Sequence, residues 1–184
     1  MKKIISLALA GVLGLILAAC ESGTASAPSA QPSAAVSQQA ETTQTPETVT
    51  ISALNGSKET VELEVPYNPQ RIAILDMAAL DILDALGVGD RVVGTADTSL
   101  EYLQSYIGGD IANLGTIKEA DLEAVMAAEP DVIFIGGRLA TSYDALSEIA
   151  PVVYLATDTE LGVVESVRRN AATIASIFGL EAEV

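Results

Sequence analysis

The sequence predicts an α/β fold: an open, mostly parallel sheet with flanking helices, preceded by a β-hairpin. Two patterns carry this expectation. Short apolar runs rich in β-branched residues recur from residue 71 onward, separated by segments with apolar positions at helical spacing. Strand and helix in such alternation mean parallel strands whose crossover helices cover both faces of one sheet. Ahead of them, residues 49–54 and 60–65 flank Asn55-Gly56, a dipeptide suited to the positive φ values of a tight hairpin turn.

The elements follow in order. Residues 71–75 (RIAIL) read as a buried strand, and 78–86 as a helix that Gly87 ends. Residues 91–95 give the next strand. A short helix is expected over 100–106 and a clearer one over 121–128, where Leu122, Val125 and Met126 form an apolar face. Pro130-Asp131 leads into 132–135 (VIFI), the continuous apolar run of a central parallel strand. Residues 142–149 read as helical, 152–155 as a strand and 161–178 as a longer helix.

The first 20 residues, MKKIISLALAGVLGLILAAC, have another character. Lys2 and Lys3 precede an apolar run from Ile4 to Leu17 that small residues close, the layout of a secretory signal. The run is shorter than the roughly 20 residues a spanning helix needs. The only cysteine of the chain stands where the run stops, and Leu17-Ala18-Ala19-Cys20 resembles the lipobox of bacterial lipoproteins. That resemblance implies a signal peptide over 1–19 and lipid, such as palmitate, on Cys20. The mature protein is then anchored to the cell membrane on its extracytoplasmic face, periplasmic side or cell surface. Residues 20–47, rich in Ser, Ala, Thr and Pro, bring almost nothing large to bury. Such a segment cannot offset its ordering entropy and reads as a disordered linker. The folded part is then 48–184, enough for one domain with its own core.

Without Lys2 and Lys3, seven basic side chains face 25 acidic ones, a net charge of about −18 that opposes nucleic-acid binding and favours solubility. A single cysteine forms no internal disulfide. Histidine is absent, which removes Ser-His and Cys-His catalysis together with the commonest metal ligand.

In open parallel sheets ligands bind beyond the carboxyl ends of the strands. The loops of interest are therefore 76–77, 96–98, 115–118 and 136–138. Gly136-Gly137-Arg138 is the sharpest. Two glycines directly after a strand let backbone approach a ligand closely, and the arginine then offers an anion a planar fork of donors. The plainer alternative is a loop arginine, solvated or paired with Asp144. Lys118 is a weaker candidate because Glu119 beside it supplies a local partner. Asp76, Asp81 and Asp84 suggest a carboxylate cluster, but Asp81 and Asp84 fit the solvated face of a helix, and no metal site is expected. Gly87-Val88-Gly89 follows a helix and lacks a third glycine, so it is no dinucleotide fingerprint. Neither a phosphate-binding loop nor a Gly-x-Ser-x-Gly elbow occurs.

Several blocks in register resemble one family. They are Asn68-Pro69-Gln70-Arg71-Ile72-Ala73, then residues 79–88 (ALDILDALGV), and then Leu114-Gly115-Thr116 with residues 121–125 (DLEAV) and 129–133 (EPDVI). Gly136-Gly137-Arg138, Tyr143-Asp144 and residues 148–151 (EIAP) complete them. Together they resemble the substrate-binding lipoproteins of bacterial iron–siderophore ABC importers, the helical-backbone class of periplasmic binding proteins. The resemblance implies a Rossmann-like lobe that captures an anionic, catecholate-like ferric siderophore and hands it to a permease and its ATPase. It implies no catalysis and no cofactor beyond that transported ligand.

Residue by residue, Arg138 matches the arginine that reaches the iron-chelating oxygens. Gly137, Lys118 and Met77 are placed with it as ligand-binding residues. Glu123 matches the exposed glutamate that docks on permease arginines. Members of the family continue into a second lobe through a long helix. This sequence stops at Val184, where that helix would begin, so 48–184 is expected to be the N-terminal lobe of a truncated chain (a fragment). Haem, cobalamin or another metal chelate is the alternative cargo, and a surface-anchored α/β enzyme the less favoured class.

Overall fold

The computed structural model describes residues 46–184. The expected signal peptide, Cys20 and all but the last two residues of the linker lie outside them. Among the described residues there are nine strands and four α-helices. They are β1 (Thr48–Leu54), β2 (Thr60–Pro66), β3 (Ile72–Leu75), α1 (Met77–Ala85), β4 (Val92–Thr95), β5 (Ala112–Asn113), β6 (Gly115–Thr116) and β7 (Glu119–Ala120). Then come α2 (Leu122–Ala127), β8 (Val132–Ile135), α3 (Tyr143–Ser147), β9 (Val152–Tyr154) and α4 (Val163–Phe178). Short 3-10 turns lie at Glu101–Tyr106 and Gly137–Ser142.

The main sheet has the order β2-β1-β9-β8-β3-β4-β5. From β9 to β5 every pairing is parallel, as the alternation of elements predicts. The hairpin is not a separate appendage. β1 pairs antiparallel with β9 through Leu54 and Tyr154, so β1 and β2 extend the sheet at one edge. Glu62 and Glu64 on the outer strand β2 place charge at that edge, which discourages pairing with other chains.

Successive side chains of a strand point to opposite faces, and the two cores follow that rule. Ile72, Ile74, Val132, Phe134 and Val153 pack with Leu80 and Leu83 of α1 and Ile174 and Ile177 of α4. Ala73, Leu75, Ile133, Ile135 and Val152 pack on the other face with Val125 of α2 and Leu146 of α3. All four residues of β3 and all four of β8 are buried. That explains why both read as unbroken apolar runs instead of alternating ones.

The hairpin turn differs from expectation. Positive φ falls on Lys58 (64°), while neither Asn55 nor Gly56 adopts it. The loop spans one more residue than a two-residue tight turn allows: Asn55 pairs with Glu59 through Asn55 N–H donating to the Glu59 carbonyl, 2.9 Å. Asn55 instead acts through its side chain. Its Oδ1 accepts from the N–H groups of Ser57 (3.0 Å) and Glu59 (2.9 Å), closing an Asx-type turn.

The amino edge of the sheet is pinned by polar contacts. Asp131 Oδ2 accepts from the N–H groups of Gln70 (2.8 Å) and Arg71 (2.9 Å), and Arg71 Nε donates to the Glu129 carbonyl (2.7 Å). Starts of β3 and β8 are thereby locked together. Arg91 donates to Asn68 Oδ1 (2.5 Å) and lies 5.5 Å from the centre of the Phe178 ring. Two of the blocks picked out in the sequence, 68–73 and 129–133, therefore serve the frame.

Candidate ligand-binding site at the carboxyl edge of the sheet

Chain order reverses between β3 and β8: β4 and β5 lie on one side of that pair, β9 on the other. A crevice opens beyond the carboxyl ends of strands at such a switch point. Asp76 follows β3 directly, and Gly136-Gly137-Arg138 follows β8. A cleft of about 360 Å³ lies there, lined by Asp76, Met77, Ala78, Ile117, Gly136, Gly137 and Arg138.

Asp76 is the N-cap of α1. Its backbone is extended (φ −136°, ψ 124°), and Oδ1 accepts from the Ala79 N–H at 2.9 Å. Gly136 makes room for it, since a Cβ on Gly136 would stand 2.1 Å from Asp76 Oδ2. Burial pushes the Asp76 carboxyl above its ordinary range, against the opposing pull of the Ala79 and Ala78 N–H groups and the positive charge of Arg138. Gly137 is constrained less, because its Cβ would lie 3.3 Å from the Tyr154 hydroxyl.

Arg138 stands in the first turn of the 3-10 segment Gly137–Ser142, not in an open loop, and is exposed. Its surroundings set it apart from the other arginines. Arg71 and Arg91 donate to the acceptors named above, Arg168 pairs with Glu165, and Arg169 Nη1 lies 3.3 Å from Asp158 Oδ2. Among the described residues Arg138 has no hydrogen-bond or ion-pair partner, and the alternative pairing with Asp144 is not formed. Its guanidinium lines the cleft with its donors unpaired among the described residues.

Met77, Gly137 and Arg138 thus come together at one cleft. Lys118 sits at the tip of the small β6–β7 hairpin, exposed, next to the cleft residue Ile117 but not itself in the lining. No ion pair joins it to Glu119. Glu123 lies apart from the cleft, exposed in the first turn of α2, whose N-cap Asp121 accepts from the Ala124 N–H at 3.0 Å. Asp84, one of the imagined carboxylate cluster, accepts from the Tyr106 hydroxyl at 2.5 Å.

The sequence places residues 76–77 among the loops of interest but gives Asp76 no role in the cleft, and it does not single out the loop after β9. An Asp between an apolar run and a helical pattern is a legible N-cap signal. Its role beside Gly136 follows only from the pairing of β3 with β8.

Residues 72–184 match the Periplasmic binding protein family. The petrobactin-binding protein YclQ of Bacillus subtilis is 38% identical over 131 residues, 71% of this chain and 39% of YclQ. Its crystal structure superposes with a TM-score of 0.66 at 34% identity, over 73% of this chain and 47% of that one. The ferric-anguibactin-binding protein FatB of Vibrio anguillarum is 34% identical over 96 residues, 51% of this chain and 29% of FatB. The periplasmic catecholate-siderophore binding protein VctP of Vibrio cholerae gives a TM-score of 0.64 at 28% identity, over 73% of this chain and 47% of VctP. The chain spans less than half the length of these relatives. Its sheet and flanking helices correspond to part of each, and the chain belongs to the periplasmic binding protein family.

Proposed function

We propose that the chain is an extracytoplasmic solute-binding lipoprotein of an iron–siderophore ABC importer, which captures an anionic ferric siderophore of catecholate type. The observation that carries this reading is Arg138. It is the arginine without a partner among the described residues, at a switch-point cleft, in a strongly acidic protein. A ferric tris-catecholate is multiply negative and presents oxygens in pairs, which a guanidinium fork matches. Relatives named for petrobactin, ferric anguibactin and catecholate siderophores support the same cargo.

On this reading Gly137 and Met77 form the floor and wall of the anion site, and Lys118 adds positive charge from the β6–β7 tip. Glu123 docks on permease arginines, Cys20 carries the lipid, and residues 20–47 are the tether. Residues 48–184 act as one lobe, one wall of the grip, with no catalytic step. Tyrosine-fluorescence titration of the chain with a ferric hexadentate tris-catecholate, haem and cobalamin tests the cargo. The reading requires saturable quenching by the tris-catecholate and a weaker response to the other two. Preference for haem or cobalamin would replace it with the alternative cargo.

A further inference from the structure

The cleft at Arg138 does not end at Gly137. A second cavity of about 240 Å³ shares Asp76 and Gly137 with it and reaches Thr157 and Asn170. A third, of about 260 Å³, shares Thr157 and Asn170 with the second and extends to Tyr154, Thr60 and Arg169. Their shared lining residues set the three side by side as a trough from the end of β8, past β9, to the flank of α4.

Charge changes along this trough. At one end Arg138 is unpaired among the described residues; at the other the charge of Arg169 is met by Asp158 at 3.3 Å. Between them stands the half-buried carboxyl of Asp76, which a second anionic group would have to face. Apart from that ion pair, the far part offers uncharged groups. Tyr154 is only 2% exposed, its hydroxyl lies beside Gly137, and that hydroxyl has no hydrogen-bond partner among the described residues. The Asn170 amide makes only a long 3.4 Å contact to the Ala156 carbonyl. Both groups line the trough, Tyr154 in its far part and the half-buried Asn170 in its middle and far parts, so a bound molecule could take up their hydrogen bonds.

We propose that the trough beyond Gly137 is a second subsite. It takes an uncharged hydrogen-bonding arm, amide or hydroxyl, of the same chelate whose anionic head meets Arg138. This rests on the reading of Arg138 as the anion end. Tyr154 and Asn170 are its specificity-determining residues, and Asp76 excludes an anionic arm.

Two ferric complexes of equal charge test it, both hexadentate tris-catecholates. One has a hydrocarbon spacer and the other a spacer bearing amide and hydroxyl groups. Affinities of the full chain in non-ionic detergent are measured by equilibrium dialysis. Wild type should prefer the polar spacer by about tenfold, the effect of one or two net hydrogen bonds. Asn170→Leu should remove most of that preference. Tyr154→Phe, which keeps the ring packing, should reduce it about threefold. Arg138→Ala should weaken both complexes alike. An absent preference in wild type, or one that survives both Asn170→Leu and Tyr154→Phe, overturns the second subsite while leaving the anion end intact. Failure of either complex to bind, or indifference of both to Arg138→Ala, overturns the anion reading and the subsite with it.

Discussion

Gly136→Ala isolates the contact that shapes the cleft. Gly136 has φ −104° and ψ 176°, a conformation alanine adopts freely, so the backbone contributes no strain. The cost comes from Asp76. A Cβ would lie 2.1 Å from its Oδ2 and 3.1 Å from its Cγ, so the carboxylate must turn away. Turning breaks the Oδ1 cap on the Ala79 N–H, a loss of about 1 kcal/mol. Against this, Gly→Ala lowers the entropy of the unfolded chain and stabilises by about 0.4–1 kcal/mol. The two nearly offset in the wild-type background. With Asp76→Ala already present the clash is gone, and Gly136→Ala should stabilise by about 0.5 kcal/mol. Urea unfolding of the two single variants and the double variant gives an interaction free energy, expected near 1 kcal/mol. Additivity of the two substitutions would refute the claim that Gly136 exists to admit the Asp76 carboxylate.

Other outcomes follow from the same contacts. Burial raises the folded-state pKa of Asp76 above its unfolded value of 3.8, so the folded protein holds this proton more tightly. The resulting stability is complete below the unfolded pKa and is lost as pH rises through the folded one. Asp76→Asn keeps a cap, and thermal unfolding from pH 4 upward should show a smaller acid-side advantage than in wild type; an unchanged profile contradicts this. Gly179 ends α4 with φ 68°, and a Cβ there would lie 2.0 Å from the Tyr67 hydroxyl. Gly179→Ala should cost about 1–2 kcal/mol in urea unfolding, and a neutral result counts against that packing. If Glu123 has the proposed docking role, Glu123→Arg should leave ferric-chelate affinity unchanged but lower stimulation of the transporter's ATPase several-fold, since like charges would then face each other. Unaltered stimulation would remove Glu123 from the docking role.

Much of the frame was legible in the sequence because it is written in short-range chemistry. The β3 and β8 runs, the α1 helix and the helix-ending Gly87 lie where local patterns place them, whereas of the expected α2 face only Val125 is buried and Leu122 and Met126 are exposed. Asn55-Gly56 marked a hairpin correctly but for a different reason, since the Asn55 side chain, not its φ, closes the turn. Strands β5, β6 and β7 have two residues each and carry no apolar period to detect. Nor did any local signal say that the hairpin would join the sheet edge through one pair, Leu54 with Tyr154. At the site, Gly-Gly-Arg stood out after an obvious strand. The Asp76 carboxyl against Gly136, and the trough that links Gly137 to Asn170, involve residues far apart in sequence that only the strand order brings together.

The central claim is that Arg138 is the anion-binding group of a ferric-siderophore site. Tyrosine-quenching titration of wild type and Arg138→Ala with one ferric hexadentate tris-catecholate tests it most directly. The wild-type chain should show saturable quenching from which a dissociation constant can be read. Arg138→Ala should weaken binding at least about tenfold, the loss expected for charge-assisted hydrogen bonds at an exposed site. Equal dissociation constants for the two proteins would contradict the account.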